Sequence, residues 1–255
     1  MIQERFSRVS VLVGEDALSL YSKAHVCIVG FGAVGSFAAE ALARSGVGFF
    51  RLIDGDTYSM HHINRQLCAC QETLGKPKAE VGAEHIRSIN PSVTVEGIMA
   101  TIGENKVSCV SMPFCDGHRP DIILDAIDMI DAKVELIVHC FNAGIPIVSS
   151  MGAARKLQPS EVRFDDISRT SVCPLAREVR KRLREHGITE GIGCVYSQEP
   201  ALKETHHAKS SSATIRSDNG ISRPILGSIS TVTGTFGLRA AAEMLRIIEG
   251  NGRTI

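Results

Sequence analysis

This sequence has no net charge, no long apolar run and no paired cysteines, and each absence removes a class of function. Lys and Arg number 28 against 28 Asp and Glu. No overall field therefore draws nucleic acid in, and such a partner would need a local basic patch. No stretch reaches the roughly 18 apolar residues that cross a bilayer, and the opening MIQERFSRVS lacks the apolar core of a secretory signal. A cytoplasmic protein without a membrane partner is expected. The eight cysteines, Cys27, Cys68, Cys70, Cys109, Cys115, Cys140, Cys173 and Cys194, form no C-x-x-C pair, so the spacing of a four-cysteine zinc site is absent and no zinc is expected. In a reducing compartment they stay thiols, most of them small core residues. Cys68-x-Cys70 alone argues only weakly for a metal. There is no internal repeat, and low complexity is limited to Ser210-Ser211-Ser212.

What is present starts at Val26-Cys27-Ile28-Val29-Gly30-Phe31-Gly32-Ala33-Val34-Gly35. An apolar, β-branched run meets a G-x-G-x-x-G turn at Gly30, Gly32 and Gly35, and Ala38, Ala39, Ala41, Leu42 and Ala43 then carry a helix. Such glycines let backbone approach a phosphate, and the helix N-terminus offers it unpaired N–H groups and a positive dipole end. A second apolar run, 49–53, ends in Asp54, nineteen residues after Gly35, where a ribose-binding acid belongs.

Helical patterns at 76–89 and 132–141 alternate with strand patterns at 93–98, 121–126 and 145–150. The alternation predicts an α/β fold, a Rossmann-like, doubly wound, mostly parallel sheet. A C-terminal α/β extension follows, with strands at 161–165 and 193–197 and helices at 174–185 and 228–248. The chain reads as one domain, 1–255: an N-terminal helical arm (1–24), a nucleotide-binding core (25–155) and a C-terminal substrate part (156–255). Within the last, 198–219 is polar and aperiodic and is expected to be a mobile loop.

Taken alone, the glycine fingerprint and its acid favour a NAD-type oxidoreductase. The next segment points elsewhere. Asp54-Gly55-Asp56 is followed by Asn64-Arg65-Gln66, then by Gly75-Lys76-Pro77-Lys78 opening a helix. A dinucleotide needs neither an arginine nor a lysine at the mouth of its site, but a triphosphate does. Charge on the β and γ phosphates, and charge developing at the α-phosphorus under attack, calls for guanidinium and ammonium groups and usually Mg²⁺. Asp128, just past the fourth strand, lies on the edge where parallel sheets place ligands and could hold that metal. Asp125 and Asp131 compete with it for the register. The plain alternatives are a surface acid for Asp54, a turn asparagine for Asn64 and a solvated helix-start lysine for Lys78.

These motifs, in this order, resemble the adenylating-enzyme family of ubiquitin-activating enzymes and their bacterial relatives, which activate the sulfur-carrier proteins of molybdopterin and thiamine synthesis. The resemblance implies ATP bound by the glycine turn, Asp54 and Asp56. Asp54 would hold the ribose, Asn64 and Arg65 would meet the phosphates, Lys78 would stabilise the α-phosphate during attack, and Asp128 would coordinate Mg²⁺. It also implies a homodimer in which an N-terminal arginine, Arg8 before Arg5, reaches the partner's ATP.

The second half lacks the zinc cysteines usual in the sulfur-carrier branch. Its runs Gly152-Ala153-Ala154-Arg155-Lys156, Asp165-Asp166-Ile167-Ser168-Arg169-Thr170, Cys173-Pro174-Leu175 and Cys194-Val195-Tyr196-Ser197 are similar to the branch that dehydrates threonylcarbamoyladenosine in tRNA. That implies adenylation of the threonyl carboxylate and closure of a ring by the neighbouring carbamoyl nitrogen, an intramolecular attack that needs no protein nucleophile. Two alternatives stay open: adenylation of a small sulfur-carrier protein's C-terminus, and a non-catalytic, nucleotide-binding sulfur relay with a transfer partner and a persulfide on Cys194.

A protein of zero net charge that holds tRNA needs a local stripe. The 174–185 helix places Arg177, Lys181 and Arg184 on one face with Arg180 beside them, opposite Leu175, Val179 and Leu183. An ordinary solvated face is the equal alternative. Arg155 and Lys156 are candidates to extend the stripe. Cys194 and Cys173 read as core, and His61, His62, His206 and His207 as solvated loop residues.

Overall fold

The computed structural model describes residues 4–102, 111–202, 214–216, 222–224 and 226–250. Its sheet is built from β1 (His25–Val29), β2 (Phe49–Ile53), β3 (Thr94–Ile98), β4 (Ile122–Asp125), β5 (Ile147–Ser150), β6 (Val162–Asp166) and β7 (Gly193–Ser197), in the order β3–β2–β1–β4–β5–β7–β6. All neighbours run parallel except β6, which is antiparallel to β7. β1, β4 and β7 are buried along their whole lengths. That is why they read as continuous apolar runs: helices cover both faces of a parallel sheet.

The period-2 geometry of a strand divides β1 between two cores. Val26 and Ile28 face the side covered by α3 (Gly35–Arg44), α4 (Lys78–Ile89) and α7 (Ser230–Ile248), where Leu42, Ile86, Phe236 and Met244 are buried. Cys27 and Val29 face α5 (Ile130–Ala143) and α6 (Pro174–Glu185), against Ile137, Cys140, Val179 and Leu183. Burying a side chain of this size is worth about 2 kcal/mol, so the two apolar stripes suffice to dock α5 and α6.

The register positions the site. Val29 pairs with Ile53 on one side and Asp125 on the other, so Gly30, Asp54 and Ala126 leave the sheet at one edge. The chain winds outward from β1 to β3 and then returns to start β4 at β1's other flank. The crevice between β1 and β4 is therefore the topological switch point, where doubly wound sheets take ligands.

Two expected segments differ. The N-terminal arm is two helices, α1 (Ser7–Val13) and α2 (Glu15–Lys23), broken at Gly14 and anchored by buried Phe6 and Leu18. Of the expected mobile loop 198–219, residues 203–213 and 217–219 lie outside the described residues. Thr214–Arg216 is not irregular but forms β8, paired antiparallel with β9 (Ser222–Pro224). A three-residue strand is too short to show a period-2 pattern, and its partner begins beyond the predicted limit.

Candidate active site

The three glycines do different things. Gly30 has φ +90°, and a Cβ there would lie 2.7 Å from the Ala126 carbonyl oxygen. A Cβ on Gly35 would lie 2.0 Å from the Gly30 carbonyl oxygen, so this glycine lets α3 close onto β1. Gly32 meets almost nothing. The nearest atom to a Cβ there is Gln66 Nε2 at 3.8 Å, and the space above it is open. Gln66 is buried, and its Oε1 has no hydrogen-bond partner among the described residues. A buried orphan acceptor beside an unfilled glycine cradle is what a bound polar ligand would satisfy.

Asp54 faces the turn rather than open solvent. Its carboxylate accepts the Phe31 N–H at 2.6 Å and the Asp56 N–H at 2.9 Å. Both oxygens keep lone pairs for a ribose hydroxyl, but the residue also holds the glycine turn in shape. Burial raises its pKa despite the opposing pull of the Lys78 charge. Lys78, the first residue of α4, is buried, and its Nζ lies 2.5 Å from Asp56 Oδ2. It is not a solvated helix-start lysine. Burial pushes the Asp56 carboxyl up, but the hydrogen bond and charge from Lys78 outweigh it and hold the group below its usual value.

The polar segment after Asp56 is more buried than its composition predicts. Tyr58, His62, Gln66 and Ala69 are all inside. His62, expected to be solvated, accepts the Ser59 N–H at Nδ1, and burial together with the Lys78 charge drops its pKa to about 3. A local turn folds it in, closed by the reciprocal bonds of Ser59 and His62. His61 is exposed at the surface, and its pKa is lowered by partial burial of the ring and by the charges of Arg65 and Lys78. His206 and His207 lie outside the described residues.

Arg65 donates to the His61 carbonyl at 2.6 Å and to Asn64 Oδ1 at 3.0 Å, while burial, opposed by Asp128, lowers its pKa. Asn64 in turn donates to the Ser228 carbonyl at 3.0 Å, tying this segment to the entrance of α7. Ser36 adds a tie that sequence reading missed: its hydroxyl donates to the Gly32 carbonyl at 2.7 Å and accepts the Leu67 N–H at 3.2 Å.

The three aspartates at and after the end of β4 separate cleanly. Asp125 is fully buried, 2.6 Å from Lys133 Nζ, and accepts from Ser149 Oγ and Ile127 N. Asp131 pairs with Arg182 on α6. Asp128 stays exposed on the edge, within electrostatic reach of Arg65. Lys133 was missed, although its spacing gave a signal: it shares the i, i+4, i+7 face of α5 with buried Ile137 and Cys140.

The proposed basic stripe is smaller than expected. Arg177, Lys181 and Arg184 are exposed on α6. Arg180 turns inward, donating to the Ile167 and Thr170 carbonyls and, at 2.6 Å, to Thr170 Oγ1. Three acceptors in the segment before the helix outcompete solvent for its guanidinium. Ala176 is buried where Leu175 was expected, and Leu175 is half-buried. Lys156 cannot extend the stripe, because it is buried with Nζ on the Glu199 carbonyl. Arg155 spends Nε on the Leu202 carbonyl at 2.7 Å.

Cys194 is fully buried, and burial drives its pKa far up; its thiol is held away from the thiolate form that nucleophilic or sulfur-accepting chemistry needs. Cys173 is buried as well. On the arm, Arg5 caps the end of α4 through the Ile89 carbonyl at 2.8 Å, so the second candidate for a crossing arginine is engaged within its own chain. Arg8 is exposed.

Comparison with known proteins identifies the family. The model of the ThiF family matches residues 6–255. The chain is similar to the tRNA threonylcarbamoyladenosine dehydratase of Escherichia coli, 36% identical over 96% of this chain and 93% of that one. It is similar also to the tRNA threonylcarbamoyladenosine dehydratase of Bacillus subtilis, 39% identical over 78% and 76%. A crystal structure of the E. coli enzyme in complex with ATP superposes with a TM-score of 0.83 at 33% identity, covering 98% of this chain and 97% of that one. With its glycine turn, its switch-point crevice and this full-length match, the chain belongs to the ThiF family.

Proposed function

We propose that this chain is an ATP-dependent dehydratase that converts threonylcarbamoyladenosine in tRNA to its cyclic form, activating the threonyl carboxylate by adenylation. One observation carries the reading. Gln66, whose buried Oε1 has no hydrogen-bond partner among the described residues, lies against the open Gly32 cradle, and the same segment carries Arg65, which is within electrostatic reach of Asp128, in a chain alike along its length to dehydratases of this class. A carboxylate is a poor electrophile, and charge at the α-phosphorus grows as it attacks. Lys78, held on Asp56 beforehand, is the group to meet that charge, with Arg65 on the outer phosphates. Asp54 and Gln66 orient the nucleoside from the wall of the crevice. Ring closure then follows within the substrate, and its gain comes from proximity.

Mg²⁺ suits Asp128, exposed at this edge, since that ion usually takes one or two carboxylates, phosphate oxygens and water. Held by Asp128, it would neutralise phosphate charge. Arg177, Lys181 and Arg184 are proposed as phosphate contacts for the tRNA. The protein is proposed to be a cytoplasmic homodimer with Arg8 completing the partner's site. Exposed Val11 and Leu12 beside it (89% and 85% exposed) suit such an interface, and no helix of the described residues is long and apolar enough to cross a membrane. Mixing Arg8→Ala with Lys78→Ala subunits tests the dimer: one restored site per mixed dimer supports it, and no recovered activity refutes it. The reaction itself is tested by nucleotide release from ATP, expected with tRNA bearing threonylcarbamoyladenosine and absent with unmodified tRNA. Turnover that needs a sulfur-carrier protein instead would overturn the reading.

A further inference from the structure

At the edge of the sheet opposite the crevice, three side chains converge that the chemistry above does not use. His25 opens β1. Its ring is buried, stacked on Phe49 at 4.0 Å and on His118 at 4.9 Å. His25 Nε2 lies 2.8 Å from Asp116 Oδ2, and His118 Nδ1 lies 3.4 Å from the same oxygen. The three donor atoms all fall within 4.8 Å of one another. A tetrahedral zinc site has donor separations of about 3.4 Å, given metal–ligand bonds near 2.0–2.1 Å; the His118–Asp116 pair already stands at 3.4 Å, and the 2.8 Å His25–Asp116 pair must part by about half an ångström.

The loop that carries two of the donors is held in place. The Phe114 N–H donates to the His118 carbonyl at 2.7 Å and the His118 N–H to Asp116 Oδ1 at 3.1 Å. The Arg51 guanidinium lies 4.4 Å over the Phe114 ring and donates to the Pro113 carbonyl at 3.0 Å. Behind His25, Asp121 Oδ2 accepts the His25 backbone N–H at 2.8 Å and stands 3.6 Å from Nδ1. At 3.6 Å it makes no hydrogen bond to the ring, but it stands on the side from which a carboxylate orients a metal-binding imidazole. A groove of about 610 Å³ opens beside the cluster, between Leu20, Lys23, Pro146 and Ile248, and gives an ion a way in and a fourth position for water.

We infer that His25 Nε2, Asp116 Oδ2 and His118 Nδ1 form a binding site for a zinc ion. Two imidazoles and one carboxylate select a borderline cation over Mg²⁺ or Ca²⁺, which prefer oxygen alone. The ion clips the loop that leads into β4 onto the start of β1, so it braces the strand whose far end carries the Asp125 network and leads to Asp128. The absence of cysteine pairs says nothing about this site, because its donors are brought together from residues 25 and 116–118 by the fold.

The test uses the full chain, stripped with a chelator and free of nucleotide, titrated with Zn²⁺ by calorimetry and with Co²⁺ by absorption spectroscopy. One ion per chain is expected, with a Co²⁺ spectrum of nitrogen and oxygen ligands. Binding should weaken tenfold or more in His118→Ala and in Asp116→Asn. His118 has an exposed side chain, and its alanine variant is expected to fold. Loss of zinc binding in it, with unaltered folding by circular dichroism, supports the site. No binding, unchanged affinity in both variants, or a strong thiolate charge-transfer band overturns it.

Discussion

Replacing Lys133 by methionine removes one half of an ion pair in which both side chains are fully buried. The lysine places Nζ 2.6 Å from Asp125 Oδ2 and 2.9 Å from the Ser150 carbonyl. Methionine fills most of the volume but leaves a buried carboxylate with only the Ser149 hydroxyl and the Ile127 N–H. Breaking a buried pair from one side costs about 3–5 kcal/mol. With two donors remaining on Asp125, about 3 kcal/mol is expected, or roughly 6–12 °C in Tm for a chain of this size. Urea unfolding measures it, read as a fall in midpoint at constant slope. The double variant Lys133→Met with Asp125→Asn should recover about half of the loss, since the uncompensated charge is gone. Because Asp125 also accepts the Ile127 N–H, it shapes the loop ending at Asp128, and Lys133→Met should lose ATP turnover even where it remains folded. A Lys133→Met protein within about 1 kcal/mol of wild type, with full activity, would refute this account of the network.

The glycine turn offers a sharper separation. Gly32→Ala should fold normally and lose ATP binding, because its Cβ enters only the open cradle. Gly35→Ala should lose stability by several kcal/mol, because its Cβ meets the Gly30 carbonyl oxygen at 2.0 Å; thermal melts with and without nucleotide distinguish the two. His62 predicts a pH dependence. Its folded pKa of about 3 lies below the ordinary 6.5, so the unfolded chain binds the extra proton and stability falls as pH drops from 6.5 towards 3. Its share is about 3 kcal/mol by pH 4, and His62→Gln should flatten that part of a urea-midpoint profile. On α6, Lys181→Ala should lower tRNA affinity and reduce the salt slope by about one, whereas Arg180→Ala should cost about 2 kcal/mol of stability through its lost carbonyl partners. Equal effects of the two on tRNA binding would contradict the inward placement of Arg180.

How legible all this was in the sequence depends on how local each signal is. β2, α6 and β7 begin and end where their apolar patterns do, because a buried strand or an amphipathic helix writes its period along the chain. The glycine turn was equally readable, and its register brought Gly30 and Asp54 to one edge as expected. What stayed hidden was the direction in which charged and polar side chains point. Lys156 is buried because Glu199 meets it from another strand's end, and Asn64 is tied to Ser228 across most of the chain. Arg180 turns inward to carbonyls that become available only when the segment before α6 folds under it. His62 looks like loop in the sequence, yet a turn closed by Ser59 puts it inside. Among Asp125, Asp128 and Asp131, the sign that Asp125 is the internal one is Lys133, a cation on an apolar helix face.

The most direct test of the whole account is mass spectrometry of nucleosides from tRNA incubated with the protein, Mg²⁺ and ATP, digested gently enough to spare a labile ring. The account predicts that threonylcarbamoyladenosine loses the mass of one water, and that Asp128→Ala abolishes the change. Unchanged threonylcarbamoyladenosine beside continued ATP consumption would contradict it.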